Sequence, residues 1–347
     1  MMQIPKYDPA THYIDLTNSD YYRSLLAFRS ILKSIVHDFW KSKGSLDVDL
    51  YMLTSSISSP MGPGSDSEGI PIVFGDLATY LVDSSQFGFE PMILNNIDIV
   101  NCWLPSMRGE DPDKTHLNQF YHIESEIAGN IVDIKKLVEE LLRYMCKKLL
   151  SETKLLNDLS RDLQTTKEKL KGIADISFNT ISFDEAVSLL EKNGHGDCVK
   201  KTSDGRDITR QGELAICSIL KLKLPIWIQG YDRDRVPFYQ KPDPNNSNRV
   251  LNADLIAPPI NKHSYGGEIA GCGQRQDNKK EILESINRQR IDITPYLWYA
   301  DLRLLSNYRV TSGFGLGLER FIAWLLNIDD IKLVIPYPRL KGIKTLP

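Results

Sequence analysis

The sequence predicts an α+β domain, with antiparallel strands flanked by segregated helices. Three observations carry this expectation. Segments of alternating polarity recur too closely for a crossover helix to fit between each pair, so they read as antiparallel neighbours. Helical patterns cluster near the N-terminus, between 131 and 193, and near the C-terminus, instead of alternating with every strand. The 347 residues, 41% hydrophobic and 25% charged, are enough for a large core without covalent staples. With Lys plus Arg at 42 and Asp plus Glu at 45, the net charge is −3, which argues against a strongly basic polyanion binder. The five cysteines, Cys102, Cys146, Cys198, Cys217 and Cys272, form no CxxC pair, so neither structural zinc nor a disulfide framework is expected. No apolar run reaches the ~18 residues of a membrane helix. The N-terminal MMQIPKYDPATHYIDL lacks the layout of a signal peptide. A cytoplasmic protein with no membrane partner is the expectation.

Each element follows from its pattern. Residues 20–43 place Leu25, Phe28, Ile31, Leu32, Ile35, Val36 and Phe39 on one stripe of period 3.6, a helix ended by Gly44. An extended segment covers 46–53, and the Ser-, Gly- and Pro-rich stretch 54–69 is a loop. Strands are expected at 71–74, 79–83, 98–103 and 119–127, the last (QFYHIESEI) alternating clearly. Residues 131–172 read as a long helical region with one apolar side, and 183–193 as a helix stopped at Gly194. Strands follow near 225–229, 236–240 and 250–257, then a glycine-rich stretch at 265–275. Helices close the pattern at 276–289 and from Leu318 to about Leu326.

Two segments carry chemistry. In TSGFGLGLERFIAWLLNI (311–328), Gly313, Gly315 and Gly317 alternate before Glu319 and Arg320 open an apolar helix. Alternate glycines admit a ligand or another backbone at close range, and an arginine at a helix start adds to a place already favourable to anions. The spacing is GxGxG, unlike the GxGxxG of dinucleotide-binding loops. Glycine-eased packing with a surface arginine is the plainer alternative. In MRGEDPDKTHLNQFYHIESE (107–126), Arg108 and Glu110 share a strand face, and His116, Phe120, Glu124 and Glu126 follow at even spacing after a short loop. If the second strand pairs back, one face offers a guanidinium fork, an aromatic plate and carboxylates. A core Phe120 and a surface ion pair are the plainer alternatives.

Together these segments closely resemble motifs 2 and 3 of the class II aminoacyl-tRNA synthetases. Arg108-Gly-Glu110 with His116-x-x-x-Phe120 matches motif 2, and Gly313 through Arg320 matches the GxGxGxER of motif 3. The stretches VPFYQKPDP (236–244), NADLIAP (252–258), GGEIAGCGQR (266–275), WYADLR (298–303) and 318–339 resemble the aspartyl/asparaginyl subgroup. The resemblance implies the class II fold, an antiparallel sheet flanked by helices, in a homodimer. It implies a single catalytic domain over 1–347 with a helical insertion at about 131–200; as a departure from the aspartyl and asparaginyl enzymes, no N-terminal anticodon-binding barrel is expected, because only about nineteen residues precede the first long helix.

It also implies roles for individual residues. Arg108 and Arg320 would be catalytic, Arg108 on the α-phosphate of ATP. Phe120 and Arg320 would sandwich the adenine, with Gly317 beneath. Glu110 would hold the adenine amino edge and His116 the γ-phosphate side. Asp254 and Glu268 would bind Mg²⁺. Ser84, Gln86 and Glu124 would hold the α-ammonium of the amino acid, and Arg275 would read its side-chain oxygen.

Several departures from the family pattern shape the functional expectation. Thr115 stands where the subgroup's motif 2 loop carries Arg, Gln119 replaces Glu, and Phe89 replaces a basic residue of aspartyl enzymes. The proline of motif 1, expected near Tyr51, is missing. The segment 258–266 reads as an inserted lid. With no barrel expected, tRNA is doubtful as a partner. The leading expectation is therefore an AMP-forming, asparagine-synthetase-like ligase. It would activate aspartate or an analogue with ATP and Mg²⁺, then form an amide with ammonia or another amine acceptor. Aminoacyl transfer to tRNA or a carrier is the alternative, followed by a non-catalytic nucleotide-binding paralogue.

Overall fold

The computed structural model describes residues 2–58, 67–261 and 263–346. Its centre is an eight-stranded sheet. In spatial order the strands are Leu46–Asp47, Ile99–Met107, Gln119–Ala128, Thr311–Gly317, Gly267–Gln274, Asn252–Ala257, Ile226–Gln229 and Thr180–Ser182. The two outermost pairings are parallel and the five inner ones antiparallel. The predicted α+β class is therefore what forms. Among the described residues, no helix is long and apolar enough to cross a membrane.

Period-two alternation decides what each face of the sheet does. Ile123 and Ile127, Phe314 and Leu316, Ala270 and Cys272, and Ala253, Leu255 and Ala257 all point into one buried core. Three helices cover that face. Asp20–Ser42 contributes Leu25, Phe28, Leu32 and Phe39; Ile131–Leu149 contributes Ile134, Val138, Leu141 and Met145; Leu318–Leu326 is buried almost throughout. The intervening residues His122, Glu124, Glu126, Gly313, Gly315, Gly317, Gly271 and Gly273 lie on the opposite face. That face is left for chemistry.

A smaller core covers the far end of this second face. Phe183, Val187 and Leu190 of the helix Phe183–Lys192 pack there with Ile216 and Cys217 of the helix Arg210–Ile219, and with Ile228 and Ile256 of the sheet. The hairpin Val199–Thr202 with Gly205–Ile208 connects these two helices.

Several expectations change in detail. The helical region 131–172 is three helices, Ile131–Leu149, Thr153–Leu159 and Leu163–Asp175. The last break lies where the Asp162 side chain caps Thr165 N and Ser160 turns to extended backbone. The expected strand at 236–240 does not form. Arg233–Arg235 is a 3₁₀ turn, Pro237 has no N–H to give a ladder, and Gln240 makes only an isolated bridge to Arg275. The extended segment 46–53 is a strand only at Leu46–Asp47, with Leu53 beginning a separate small sheet. Half of the predicted loop 54–69, residues 59–66, lies outside the described residues. The nine-residue helix Gln86–Leu94 has no sequence signature, because it carries Gly88 and Pro91 and no polar stripe.

Candidate active site

The second face of the sheet is organised around three glycines on one strand. Gly313, Gly315 and Gly317 stand directly across from Glu126, Glu124 and His122. On the other side, Gly313 pairs with Gly273 and Gly315 with Gly271. Each step of two residues advances about 7 Å along the strand. The glycines therefore form a floor without Cβ atoms, about 14 Å long, and each position has its own set of side chains above it.

The Gly317 end opens into a cavity of about 580 Å³. Arg108, Glu110, His116, Phe120, Glu268, Gly317 and Arg320 all line it. Arg108 follows the strand Ile99–Met107, its guanidinium 5.4 Å from the centre of the Phe120 ring and its Nε buried without a hydrogen-bond partner. The loop that follows is pinned by Asp113, which accepts from the backbone N–H of Thr115 (2.6 Å) and His116 (2.8 Å). Asn118 donates to the carbonyls of Arg108 and Glu110 at 2.8 and 2.7 Å, fixing the two ends of the loop together. Behind Phe120, burial together with the charges of Arg108 and Arg320 pushes the His122 imidazole well below its usual range, so it is neutral.

Carboxylates gather at the side of the cavity. A bulge between Leu255 and Ile256 shifts the register so that Ile256 pairs with Glu268, skipping Ile269. Without this slip Glu268 would face the core; with it, Glu268 shares a face with Asp254. Both carboxylates converge over Gly271, where a Cβ would lie 3.0 Å from Asp254 Oδ1 and 3.5 Å from Glu268 Oε1. Arg320 Nη1 donates to Glu268 Oε2 at 3.1 Å. Glu213, from the helix Arg210–Ile219, accepts from Glu268 N at 3.0 Å. Burial and the neighbouring Glu268 charge push the Glu213 carboxyl up to about 8. Asp254 is also raised, by burial and then by Glu268. Among the described residues no three His, Cys, Asp or Glu groups are arranged to hold a metal. Two converging carboxylates, of which only Glu268 is met by an arginine, nevertheless suit a hard cation that takes its remaining ligands from phosphate and water.

Two further stations lie above Gly315 and Gly313. Glu124 is fully buried and accepts from Ser84 Oγ at 2.5 Å, from Ser85 N at 2.7 Å and from Ser85 Oγ. Burial raises its carboxyl despite these bonds, and no Lys or Arg among the described residues pairs with it. Gln86 Nε2 lies 3.7 Å and Glu124 Oε1 3.4 Å from where a Gly315 Cβ would be. At Gly313, Arg275 grips Glu126 with two bonds, Nε to Oε1 at 2.9 Å and Nη2 to Oε2 at 2.6 Å. Both side chains are buried, at 2% and 0% exposure. Glu90 and Arg303 form a second buried pair behind them, with Thr311 Oγ1 donating to Glu90 at 2.8 Å.

Residues 5–341 match the family profile described as tRNA synthetases class II (D, K and N). The chain belongs to this family. It is 35% identical over 266 residues to the asparagine–tRNA ligase of Pyrococcus abyssi, covering 76% of this chain and 57% of that protein. It is 32% identical over 323 residues to the asparagine–tRNA ligase of Koribacter versatilis, covering 91% of this chain and 68% of that protein. The chain thus spans a little over half the length of several curated relatives it matches, the Pyrococcus proteins at 57% among them. The asparaginyl-tRNA synthetase of Pyrococcus horikoshii complexed with asparaginyl-adenylate superposes with a TM-score of 0.85 at 28% identity, over 99% of this chain and 75% of that one. The Entamoeba histolytica asparaginyl-tRNA synthetase, at 20% identity and a TM-score of 0.77, shares the fold.

These relatives favour the alternative expectation from sequence, aminoacyl transfer to tRNA, over the leading one. Each is a tRNA ligase for asparagine, whereas the sequence reading favoured an aspartate-activating, amide-forming enzyme and held tRNA doubtful. In this class II chain the expected residues fall into two groups. Those assigned to the nucleotide line the cavity, with Glu268 among them. Ser84, Gln86, Glu124 and Arg275 lie deeper, along the glycine floor, and Asp254 lies beside Gly271. Sequence reasoning also missed several residues of the site. Glu126 carried a signal, its even spacing from Glu124, but no role was given to it. Glu213, Lys200, Asp207, Asp234 and Arg235 carried none, because they reach the site from distant segments.

Proposed function

We propose that this chain activates asparagine with ATP as an acyl-adenylate and transfers the aminoacyl group to tRNA. The observation that carries the choice of acid is the Arg275–Glu126 pair at the far end of the glycine floor. Its two charges already cancel in a fully buried setting. A side-chain carboxylate arriving there would set a third charge beside Glu126, with no whole cation left to meet it, at a cost of several kcal/mol. A neutral amide brings no such cost. The asparagine–tRNA ligases among the relatives support the same choice.

The rest of the proposal follows the floor. The substrate ammonium sits against Glu124, a buried carboxylate whose missing cation it supplies, with Ser84 and Gln86 beside it. The adenine lies in the cavity between Phe120 and Arg320, its amino edge toward Glu110, with His116 toward the γ-phosphate. Arg108, its Nε unpartnered, donates to the α-phosphate, where charge grows as the substrate carboxylate oxygen attacks phosphorus and pyrophosphate departs. Asp254 and Glu268 would hold Mg²⁺, which when bound neutralises phosphate charge and orients the leaving group. No protein nucleophile takes part, and positioning does most of the work.

The test is ATP–pyrophosphate exchange with Mg²⁺ and a panel of acids, followed by charging of tRNA. Asparagine should support exchange at least tenfold better than aspartate, and labelled asparagine should appear on tRNA. Exchange driven by aspartate, with AMP and asparagine formed from ammonium in the absence of tRNA, would overturn the proposal.

A further inference from the structure

The side chain of Gln240 has no place in the scheme above, yet it sits at the end of the glycine floor. Its Oε1 is buried without a hydrogen-bond partner. Its backbone is held firmly: Gln240 N donates to Pro237 O at 3.0 Å, Gln240 bridges to Arg275, and the flanking Lys241 N donates to Gln274 O at 2.9 Å. The amide rests against Gly273, with Oε1, Cδ and Nε2 all within 2.7 Å of where a Cβ would be. Gly273 pairs directly with Gly313, and above Gly313 stand Glu126 Oε2 and Arg275 Nη2. Directly paired residues of neighbouring strands face the same way. Gln240, Arg275 and Glu126 therefore ring one spot, two residues beyond the Glu124 station.

We propose that Gln240 is a specificity-determining residue that reads the side-chain amide of the substrate, its orphaned Oε1 accepting from the amide N–H. This rests on the asparagine reading above and deepens it. A carboxamide carries both a donor and an acceptor, whereas an ionised carboxylate only accepts. The spot offers both complements. Gln240 Oε1 is an acceptor with nothing to accept, and Glu126 engages only Nε and Nη2 of Arg275, which leaves the other terminal nitrogen to donate to the amide oxygen. A buried acceptor left unpaired costs free energy, and an asparagine side chain removes that cost on binding. Aspartate would set one acceptor against another. A site built around a polar group of its substrate rejects analogues that leave its own buried groups unpaired.

The experiment compares Gln240→Met, which keeps length and shape but removes the acceptor, with Gln240→Asn, which keeps the amide but withdraws it by one methylene. The second variant covers the case in which the first does not fold. In ATP–pyrophosphate exchange, kcat/KM for asparagine should fall roughly ten- to a hundredfold in each folded variant, with the KM for ATP within twofold of the unaltered protein. Variants that keep full asparagine activity, or that lose ATP affinity as much as asparagine affinity, would overturn the role of Gln240 alone. Absence of asparagine-dependent exchange in the unaltered protein would instead overturn the functional reading on which it stands.

Discussion

Gly313→Ala is the most direct perturbation of the glycine floor. A Cβ at this position would lie 2.9 Å from Glu126 Cδ and closer still to Glu126 Oε2 and Arg275 Nη2. Neither group can yield cheaply. Glu126 is held by both nitrogens of the Arg275 fork, with both side chains at 2% exposure or less. Accommodating the methyl means separating part of a buried ion pair, and breaking such a pair costs roughly 3–5 kcal/mol. Local adjustment will recover some of this, so a loss of about 3 kcal/mol, or roughly a hundredfold in kcat/KM for the amino acid, is the expectation. Gly317→Ala is the comparison at the nucleotide end of the floor, where the atoms nearest its Cβ would be Arg320 carbons at 3.4 Å or more, an ordinary contact. Pyrophosphate exchange as a function of amino-acid and ATP concentration separates the two effects, with thermal melting to check the fold. Gly313→Ala should raise the KM for the amino acid while leaving that for ATP nearly unchanged. An amino-acid KM within twofold of the unaltered protein, or a rise in that KM no larger than that of Gly317→Ala, would refute the assignment of the substrate side chain to the Gly313 station.

Arg108→Ala should reduce exchange by at least a hundredfold with every acid tested; its melting temperature should barely move, since among the described residues the guanidinium only rests on Phe120, and exchange retained within tenfold would remove Arg108 from the α-phosphate. Lys169, buried on the helix Leu163–Asp175, donates to Trp324 O at 2.5 Å and Asn327 Oδ1 at 2.7 Å, and burial pushes its ammonium down to about 7. The unfolded chain therefore holds a proton between about pH 7 and the ordinary lysine value that the folded chain has released, so stability should rise with pH across that window, by up to a few kcal/mol; urea unfolding at pH 7 and pH 9.5 should show this rise in the unaltered protein and lose it in Lys169→Met, and equal slopes in the two would contradict it.

Much of the site was legible because the strand period is strict. In QFYHIESEI the isoleucines and glutamates alternate, and the structure sends Ile123 and Ile127 to the core and Glu124 and Glu126 to the other face. The spacing of Gly313, Gly315 and Gly317 similarly located the floor before any fold was known. What stayed hidden depended on contacts between distant segments. Nothing near Glu268 announces the one-residue slip that turns its carboxylate toward Asp254. Glu213 reaches Glu268 N across 55 residues of chain. The segment 236–240 read as a strand by composition, and only the 3₁₀ turn at Arg233–Arg235 and the bridge to Arg275 give Gln240 its orientation.

The same geometry explains why the class was easier to read than the acid. Class membership rests on short sequence features: alternate glycines, an arginine at a helix start, a strand pair carrying Arg108 and Phe120. These are local in sequence and tolerate little change, since a Cβ at Gly313 or Gly273 meets a side chain at once. The choice of acid rests on what stands above the floor. There the groups come from four separate segments, around Gln86, Glu126, Gln240 and Arg275, and their meaning depends on pairing. Arg275 alone reads as a cation awaiting a carboxylate. Arg275 already gripped by Glu126, beside an acceptor with no partner, reads as a site for an amide. A single partner thus reverses the inference from one residue, and that partner is visible only once the strands are aligned.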